Sequence, residues 1–424
     1  MLNSEREILM LEHYSHAKSS IRRSRRRRFL AQSIAGVGAA SLSGIAADTL
    51  LASAENADDY EQRARSYLKT LLLSREDVDG WLKQKVFPFC KYDSELGYLH
   101  INRDFKEGQD GAICQYRYDK LDARRMMAYG DQPCRINTYG NSFTSCEQVS
   151  DGETWQEVLA AHLGEPVRNY GIGGYSVYQA YLRMLREEKR AAAKYIIFNI
   201  FDDDHYRHLG GWYRFKFGVN RISPNPTVPY LVVDPDEGKI VKRLNPCPTA
   251  ESIYQLCDLD RVYELFKDDV MLKNRLGRMA RKQRGEEVPP SDYDDAELTR
   301  YGIYATTQIV DQVEQFAKRT NKSVLYVLSY GGYVVRQFME HGGRFDQALV
   351  DFLNERKLLF VDLLQAHDED FDHFRADIDA YLSRYYIGHY NPLGNFFCAD
   401  AIKEKLVAMM DPKPPAFSTS QILK

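Results

Sequence analysis

The sequence predicts an α/β protein in which helices cover both faces of a parallel sheet, giving three layers. Short apolar segments bounded by turn residues predict strands at 134–139, 166–170, 195–201, 323–329 and 358–363. The segments between and after them predict helices at 153–163, 175–190, 304–320, 344–356 and 394–409. Because strands that alternate with helices form crossover connections, the strands are expected to pair in parallel.

Residues 1–54 have the features of a bacterial export signal. A basic run ending at Arg28 precedes a weakly apolar stretch, and Ala52-Ser53-Ala54 offers small residues in a cleavage pattern. The paired arginines resemble the twin-arginine type of signal. We therefore expect export to the periplasm or the extracellular space and a mature chain that begins near Glu55. A basic patch on a surface helix is the alternative.

An accessory region is predicted over 55–130, ahead of the alternating core. Residues 57–85 place Tyr67, Leu68 and Leu71 on one helical face. Residues 86–130 are rich in glycine, tyrosine and charge, and we expect them to wrap the core as irregular structure.

The first core strand runs into a serine on a tight turn, in the segment from Ile136 to Thr144. Gly140 permits a sharp bend, and Asn141 tolerates turn geometry. Ser142 then stands between the end of a strand and a helix, which is where open α/β sheets place their chemistry. A capping serine in an ordinary turn is the alternative.

Three more segments share this placement at the ends of predicted elements. Asn169–Gly174 follows a short strand, and the apolar strand Tyr195–Phe201 ends in Asp202-Asp203-Asp204. Near the C-terminus stands Gly388–Asn395, which contains His389.

In this order, the four segments resemble the SGNH (GDSL-like) hydrolase superfamily over residues 131–208 and 320–408. The resemblance implies a flavodoxin-like strand order. It also implies that Ser142 is the nucleophile, that His389 is the base, and that the backbone N–H groups of Ser142 and Gly174 form an oxyanion hole. Asp203 falls at the third oxyanion-hole position.

Two positions depart from the pattern of that superfamily. Asp203 stands where an asparagine usually donates, and an ionised carboxylate cannot donate. Three explanations remain: Asp203 is protonated, the hole uses backbone groups alone, or the alignment is shifted by one residue. Tyr386 and Ile387 stand where an aspartate would orient the histidine. Another aspartate or a backbone carbonyl would then have to orient His389.

An insertion is predicted over 209–300, between the first core part, 131–208, and the second, 301–410; the tail is 411–424. The strand-like segments 230–233 and 239–244 flank Asp234–Gly238, which is a hairpin signal. A charged helical segment follows. Because the insertion starts at the functional edge of the sheet, it is expected either to shape a substrate pocket or to bind a partner protein.

Composition limits the classes of partner. The net charge of −3 suggests neither nucleic acid nor an anionic membrane as a partner. The 29 tyrosines suit sugar binding, although most of them could equally pack loops onto the sheet. The seven cysteines show no zinc spacing, and Asp202–His205 offers metal ligands on opposite strand faces. We expect no metal, no cofactor and no membrane span in the mature protein.

These observations predict an exported serine esterase that hydrolyses a short acyl ester, on a carbohydrate, through a Ser142–His389 acyl-enzyme mechanism. A lipid esterase or an O-acyltransferase is the enzymatic alternative. A catalytically inactive binding protein with the same fold is the alternative from another class.

Overall fold

The sheet strands occupy the apolar segments that the sequence singles out. The computed structural model describes residues 57–83, 89–218, 227–292, 294–374 and 377–418. The predicted export signal lies outside these residues. The strands in the described residues are β1 (Cys90–Asp93), β2 (Gly97–His100), β3 (Arg103–Lys106), β4 (Ile113–Tyr116), β5 (Ile136–Tyr139), β6 (Arg168–Asn169), β7 (Tyr195–Phe201), β8 (Tyr230–Asp234), β9 (Lys239–Arg243), β10 (Ser323–Ser329) and β11 (Phe360–Asp362).

The central sheet has five parallel strands in the order β11-β10-β7-β5-β6. Numbered among themselves along the chain, these strands lie in the order 2-1-3-4-5, which is the flavodoxin-like order. The strand order reverses between β5 and β7, and this topological switch point is where open α/β sheets hold their ligands. The predicted fold class is confirmed.

The middle strand β7 is buried along its whole length, as its continuous apolar sequence requires. Its one amide side chain, Asn199, is buried with both of its polar groups paired. The Nδ2 group donates to Thr144 Oγ1 at 3.0 Å, and Oδ1 accepts from Ser329 Oγ at 2.8 Å. Asn199 thus ties β7 to the turn after β5 and to the end of β10.

The helices form the two outer layers and the accessory regions. In chain order they are α1 (Ala57–Lys69), α2 (Arg75–Leu82), α3 (Ser142–Ser145), α4 (Trp155–Leu163), α5 (Val177–Arg190), α6 (Asp204–Arg207), α7 (Arg214–Phe217), α8 (Leu259–Phe266), α9 (Val270–Gln283), α10 (Ala296–Thr320), α11 (Gly332–His341), α12 (Gln347–Glu355), α13 (Leu363–Phe374), α14 (Ile378–Tyr385) and α15 (Pro392–Met409). Helices α4, α13 and α15 pack together over one face of the sheet, and α5, α10 and α12 pack together over the other.

The accessory region is more regular than the sequence indicated. The predicted helix over 57–85 is two helices, because Ser74 starts α2 with a capping box that includes Asp77. Residues 86–130 were expected to be irregular, but they contain two antiparallel hairpins, β1–β2 and β3–β4. The hairpins are short and partly polar, so they lack the apolar alternation that identifies a strand.

The insertion contains the predicted hairpin, with β8 and β9 joined around Asp234–Gly238. The charged segment after it divides into a 3₁₀ turn at Glu251–Cys257 and the helices α8 and α9. Asp258 and Asp269 cap these helices by accepting hydrogen bonds from backbone N–H groups in their first turns.

The acidic segment from His367 to His373 belongs to α13, a helix that the sequence does not predict. His367 is buried, and its ring accepts or donates hydrogen bonds at 2.9 Å to the hydroxyls of Tyr381 and Tyr390. The aromatic partners come from later in the chain, and they supply the packing that makes this segment helical.

In the described part of the chain, no helix is both long enough and apolar enough to cross a membrane. All seven cysteines lie in this part, and none of them forms a disulfide.

Candidate active site

Ser142 and Asp203 lie at the switch point of the sheet. Ser142 follows β5, Asp203 follows β7, and these two strands pair directly. The parallel pairing brings the residues after both strands to the same edge of the sheet.

The turn before Ser142 depends on Gly140 and Asn141. Gly140 has φ +155°, and a Cβ there would overlap Thr144 Oγ1. Asn141 is the N-cap of α3: its Oδ1 accepts from Phe143 N at 2.9 Å, and its Nδ2 donates to Asp204 Oδ1 at 2.9 Å. These contacts fix Ser142 as the first residue of a short helix.

The Ser142 side chain is almost buried, at 5% exposure, and its hydroxyl is unpaired among the described residues. The backbone carbonyl of Ser142 accepts a hydrogen bond from Glu147 N at 3.1 Å, so the short helix continues into a hydrogen-bonded turn.

The predicted oxyanion-hole glycine lies on a loop that packs against α3. A Cβ on Gly171 would overlap Ser145 N, and Ile172 N donates to Gly140 O at 3.2 Å. Gly174 has φ +80°, which favours glycine, and a Cβ there would lie 2.6 Å from Tyr98 Oη. Tyr98 belongs to hairpin β1–β2 and donates a hydrogen bond to Gly173 O, so the accessory region braces this loop.

The backbone N–H groups of Ser142 and Gly174 share one property. Within the described residues, neither donates a hydrogen bond. Ser142 N is in the first turn of α3, where N–H groups have no partner within the helix, and Gly174 is partly exposed. Both groups are therefore available as donors, which is what an oxyanion hole needs.

His389 is oriented by Gln148. The His389 backbone N–H donates to Gln148 Oε1 at 2.6 Å, and Nδ1 lies 3.3 Å from the same oxygen. Because the atom that accepts from the backbone must be the amide oxygen, Nδ1 is assigned as the protonated nitrogen. Nε2 then carries the lone pair that a general base requires.

The structure brings His389 close to α3 without a hydrogen bond to Ser142. The imidazole is 5.0 Å, between ring centroids, from Phe143, and Nε2 lies 3.8 Å from Glu147 Oε2. Burial lowers the pKa of His389, although its side chain keeps 27% exposure. The neutral form, which can accept a proton, is therefore favoured near neutral pH.

Asn391 holds the loop that carries His389. Its Oδ1 accepts from Gly394 N at 2.9 Å as the N-cap of α15, and its Nδ2 donates to Arg384 O at 2.9 Å. Pro392 follows at the first helical position, where it needs no hydrogen-bond donor.

Asp203 is ionised and paired with two cations. Arg207 Nη2 lies 2.6 Å from Oδ1, and Lys216 Nζ lies 2.8 Å from Oδ2. Burial raises the pKa of Asp203, but the charges of Arg207 and Lys216 outweigh this effect and hold the pKa at about 2. Asp203 therefore lacks the proton that donation to an oxyanion would require.

The residues next to Asp203 in the sequence each form a hydrogen bond with a different part of the protein. Asp202 Oδ2 accepts from Gly331 N at 2.7 Å, Asp204 accepts from Asn141, and His205 Nδ1 lies 2.8 Å from Thr306 Oγ1. Burial raises the pKa of Asp204. In the described residues, no group of three or more His, Cys, Asp or Glu side chains converges as metal ligands.

Sequence reasoning missed four side chains around the site: Tyr98, Glu147, Gln148 and Arg207. Arg207 had a weak signal, since it lies one helical turn after Asp203. Gln148 had none, because it meets His389 across 241 positions of sequence.

No family model matches the chain, and no match was found among curated proteins. Solved structures do match. A protein described as lipolytic and of the G-D-S-L family, from Desulfitobacterium hafniense DCB-2, is 11% identical with a TM-score of 0.32, covering 64% of this chain and 98% of that one. The acetyl xylan esterase AlAXEase is 13% identical with a TM-score of 0.34, covering 65% and 100%. The acetylxylan esterase Axe2 from Geobacillus stearothermophilus is 10% identical with a TM-score of 0.34, covering 64% and 93%. At these values we draw nothing about function from the matches.

Proposed function

We propose that the chain is a serine esterase of the SGNH type, with Ser142 as nucleophile and His389 as general base. The observation that carries the proposal is that Ser142 lies at the switch point with the His389 ring close to the next residue, since the ring centroids of Phe143 and His389 are 5.0 Å apart. The Ser142 hydroxyl has no hydrogen-bond partner among the described residues, and Nδ1 of His389 lies 3.3 Å from Gln148 Oε1.

The proposed reaction has two stages. His389 Nε2 accepts the Ser142 proton as Oγ attacks the ester carbonyl, and the negative charge on the carbonyl oxygen is stabilised by the N–H groups of Ser142 and Gly174. The tetrahedral intermediate collapses, and His389 returns the proton to the departing alcohol. Water, activated by His389, then releases the acid from the acyl-enzyme and restores Ser142.

The proposed substrate is a short acyl ester on a carbohydrate. A cavity of about 20 Å³ lies beside Gly174, and neither Ser142 nor His389 is among the residues that line it. Aromatic and cationic side chains line this cavity, including Tyr98, Arg207, Trp212, Tyr213 and Lys216. Aromatic faces with polar tips suit a carbohydrate alcohol. Export to the periplasm or the extracellular space is part of the proposal and rests on the sequence of residues 1–54.

A catalytically inactive binding protein is the second candidate. It is favoured by the missing hydrogen bond between Ser142 and His389 and by the ionised Asp203 at the third oxyanion-hole position. In catalytic sites such hydrogen bonds are often long before substrate binds, which favours the esterase.

Hydrolysis of p-nitrophenyl acetate by the purified protein tests the proposal. We expect Ser142→Ala and His389→Ala each to remove nearly all activity, with no further loss in the double variant, because the two residues act as one unit. Ser145→Ala is the matched control, since Ser145 lies in the same short helix. Full activity in Ser142→Ala would refute the esterase reading, and an inactive wild-type protein would favour the binding protein.

A further inference from the structure

A carboxylate faces the catalytic nitrogen of His389. Glu147 Oε2 lies 3.8 Å from Nε2, on the side of the ring opposite Gln148. Glu147 lies two residues after the end of α3, and its backbone N–H donates to Ser142 O at 3.1 Å. Glu147 therefore contacts both members of the proposed catalytic pair: its backbone binds Ser142, and its carboxylate lies near His389.

The Glu147 side chain is held in this place from two sides. Arg103 Nη2, from hairpin β3–β4, lies 3.5 Å from Oε1, and the Arg103 side chain is itself buried. A Cβ on Gly173 would overlap Glu147 Oε1, so the carboxylate rests directly against the glycine loop.

On the Nδ1 side, the imidazole is oriented by the neutral side-chain amide of Gln148. Gln148 Oε1 accepts from the His389 backbone and from Nδ1, and Gln148 Nε2 donates to Glu107 O at 3.4 Å. In a Ser-His-Asp triad, one aspartate both orients the histidine and stabilises the imidazolium that forms. A neutral amide can perform only the first of these tasks.

We propose that Gln148 and Glu147 divide the two tasks of the triad aspartate: Gln148 orients His389, and Glu147 supplies the negative charge that stabilises the imidazolium. This inference rests on the proposed function. When the Ser142 proton moves to Nε2, the positive charge of the ring appears within 4 Å of the Glu147 carboxylate. The proton then passes from Nε2 to the leaving alcohol, and Glu147 takes no part in the transfer.

Other charged side chains lie near His389 and Glu147. Asp203 and Arg207 face His389, and they oppose each other because they form an ion pair. Arg103 and Glu107 face Glu147. Burial lowers the pKa of His389, while Glu147 raises it and Arg207 lowers it. Removing the Glu147 charge should therefore lower the pKa of His389 further.

The test is the pH dependence of kcat and kcat/KM for Glu147→Gln in the full chain. His389 must be deprotonated to act, so we expect the acidic limb of kcat/KM to move to lower pH by about one unit, with kcat about tenfold lower. Glu147→Asp keeps the charge and should retain the wild-type limb. Glu264→Gln, the same change at an exposed position of α8, should leave both quantities unchanged.

Gln148→Glu provides a second variant if Glu147→Gln fails to fold. A carboxylate on the Nδ1 side should move the acidic limb to higher pH, because it stabilises the protonated ring from the other face. In the Gln148→Glu background, Glu147→Gln should cost less in kcat than it does alone.

The outcomes separate the two claims. If Ser142→Ala is inactive but Glu147→Gln keeps the wild-type acidic limb and kcat, the division of tasks is wrong and the esterase stands. An unmoved limb in a folded Gln148→Glu variant would show that residue 148 does not hold the Nδ1 side of the ring, which would contradict the orienting task of Gln148. If Ser142→Ala is fully active, both claims fall together.

Discussion

Asp203 forms ion pairs with Arg207 and Lys216, and these ion pairs stabilise the folded chain at the switch point of the sheet. The charges of Arg207 and Lys216 hold its pKa in the folded chain at about 2, below the ordinary value of 3.8 for an aspartate. A carboxyl group whose pKa is lowered by folding stabilises the protein above its unfolded pKa, and this contribution is lost as the pH falls through the folded value. The contribution of Asp203 is therefore complete at neutral pH and declines below pH 4.

We predict that Asp203→Asn lowers the free energy of unfolding at pH 7 by about 3 kcal/mol, because two cations lose a partner in a largely buried place. The difference from wild type should narrow at pH 3. Urea denaturation at both pH values measures this. Asp236→Asn, which breaks an exposed ion pair with Arg300, is the control and should change stability far less. Unchanged stability together with higher activity would instead mean that a neutral donor is useful at position 203.

Single residues show where prediction from sequence ends. Ser142, Gly174 and His389 could be singled out because each stands at the end of an element in a short motif. Gln148 and Glu147 could not, since their relation to His389 exists only once distant segments fold together. The ionised state of Asp203 depends on Lys216, which the insertion brings from outside the motif.

At the scale of elements, the loop before α5 and the helix α3 fit closely enough that only glycine is accommodated between them. Gly171 lies against Ser145 N and the backbone of Thr144, and its φ is in the ordinary range. The constraint is therefore steric rather than conformational.

We predict that Gly171→Ala displaces the Asn169–Gly174 loop from α3 and lowers stability by about 1–3 kcal/mol. If the proposed function holds, it also reduces esterase activity at least tenfold. Gly152→Ala is the matched control, because a Cβ there meets nothing within 4 Å. Activity measurements and thermal melts of the two variants decide the matter. Equal behaviour of the two would show that the loop is free to move away from α3.

The elements that could be predicted are those whose own sequence is sufficient. β7 and β10 are continuous apolar runs, and both were placed correctly. The hairpins β1–β2 and β3–β4 were missed because each is short and packs through aromatic side chains onto the core. Helix α13 was missed because its buried histidine is paired by tyrosines of α14 and the His389 loop.

At the scale of the whole molecule, the strand order determines where the residues of the candidate site lie. The 2-1-3-4-5 order places the segments after β5 and β7 side by side, and α15 carries the His389 loop to them. The accessory hairpins then add Tyr98 and Arg103 around the glycine loop and Glu147.

Export is the second property of the whole chain that can be tested. We predict that changing Arg26 and Arg27 to lysine traps the precursor in the cytoplasm of a bacterial host, because twin-arginine signals require the arginine pair. Fractionation followed by N-terminal sequencing measures this, and the wild-type mature chain should begin near Glu55. Unchanged processing in the variant would contradict the twin-arginine signal.

The central claim is that Ser142 is a nucleophile activated by His389, and covalent labelling with a fluorophosphonate tests it most directly. Intact-mass analysis of the purified protein should show one adduct, and peptide mapping should place it on Ser142. Ser145→Ala should label like wild type, His389→Ala should label far more slowly, and Ser142→Ala should not label. Labelling of Ser142→Ala at the wild-type rate, or an adduct mapped to another residue, would contradict the account.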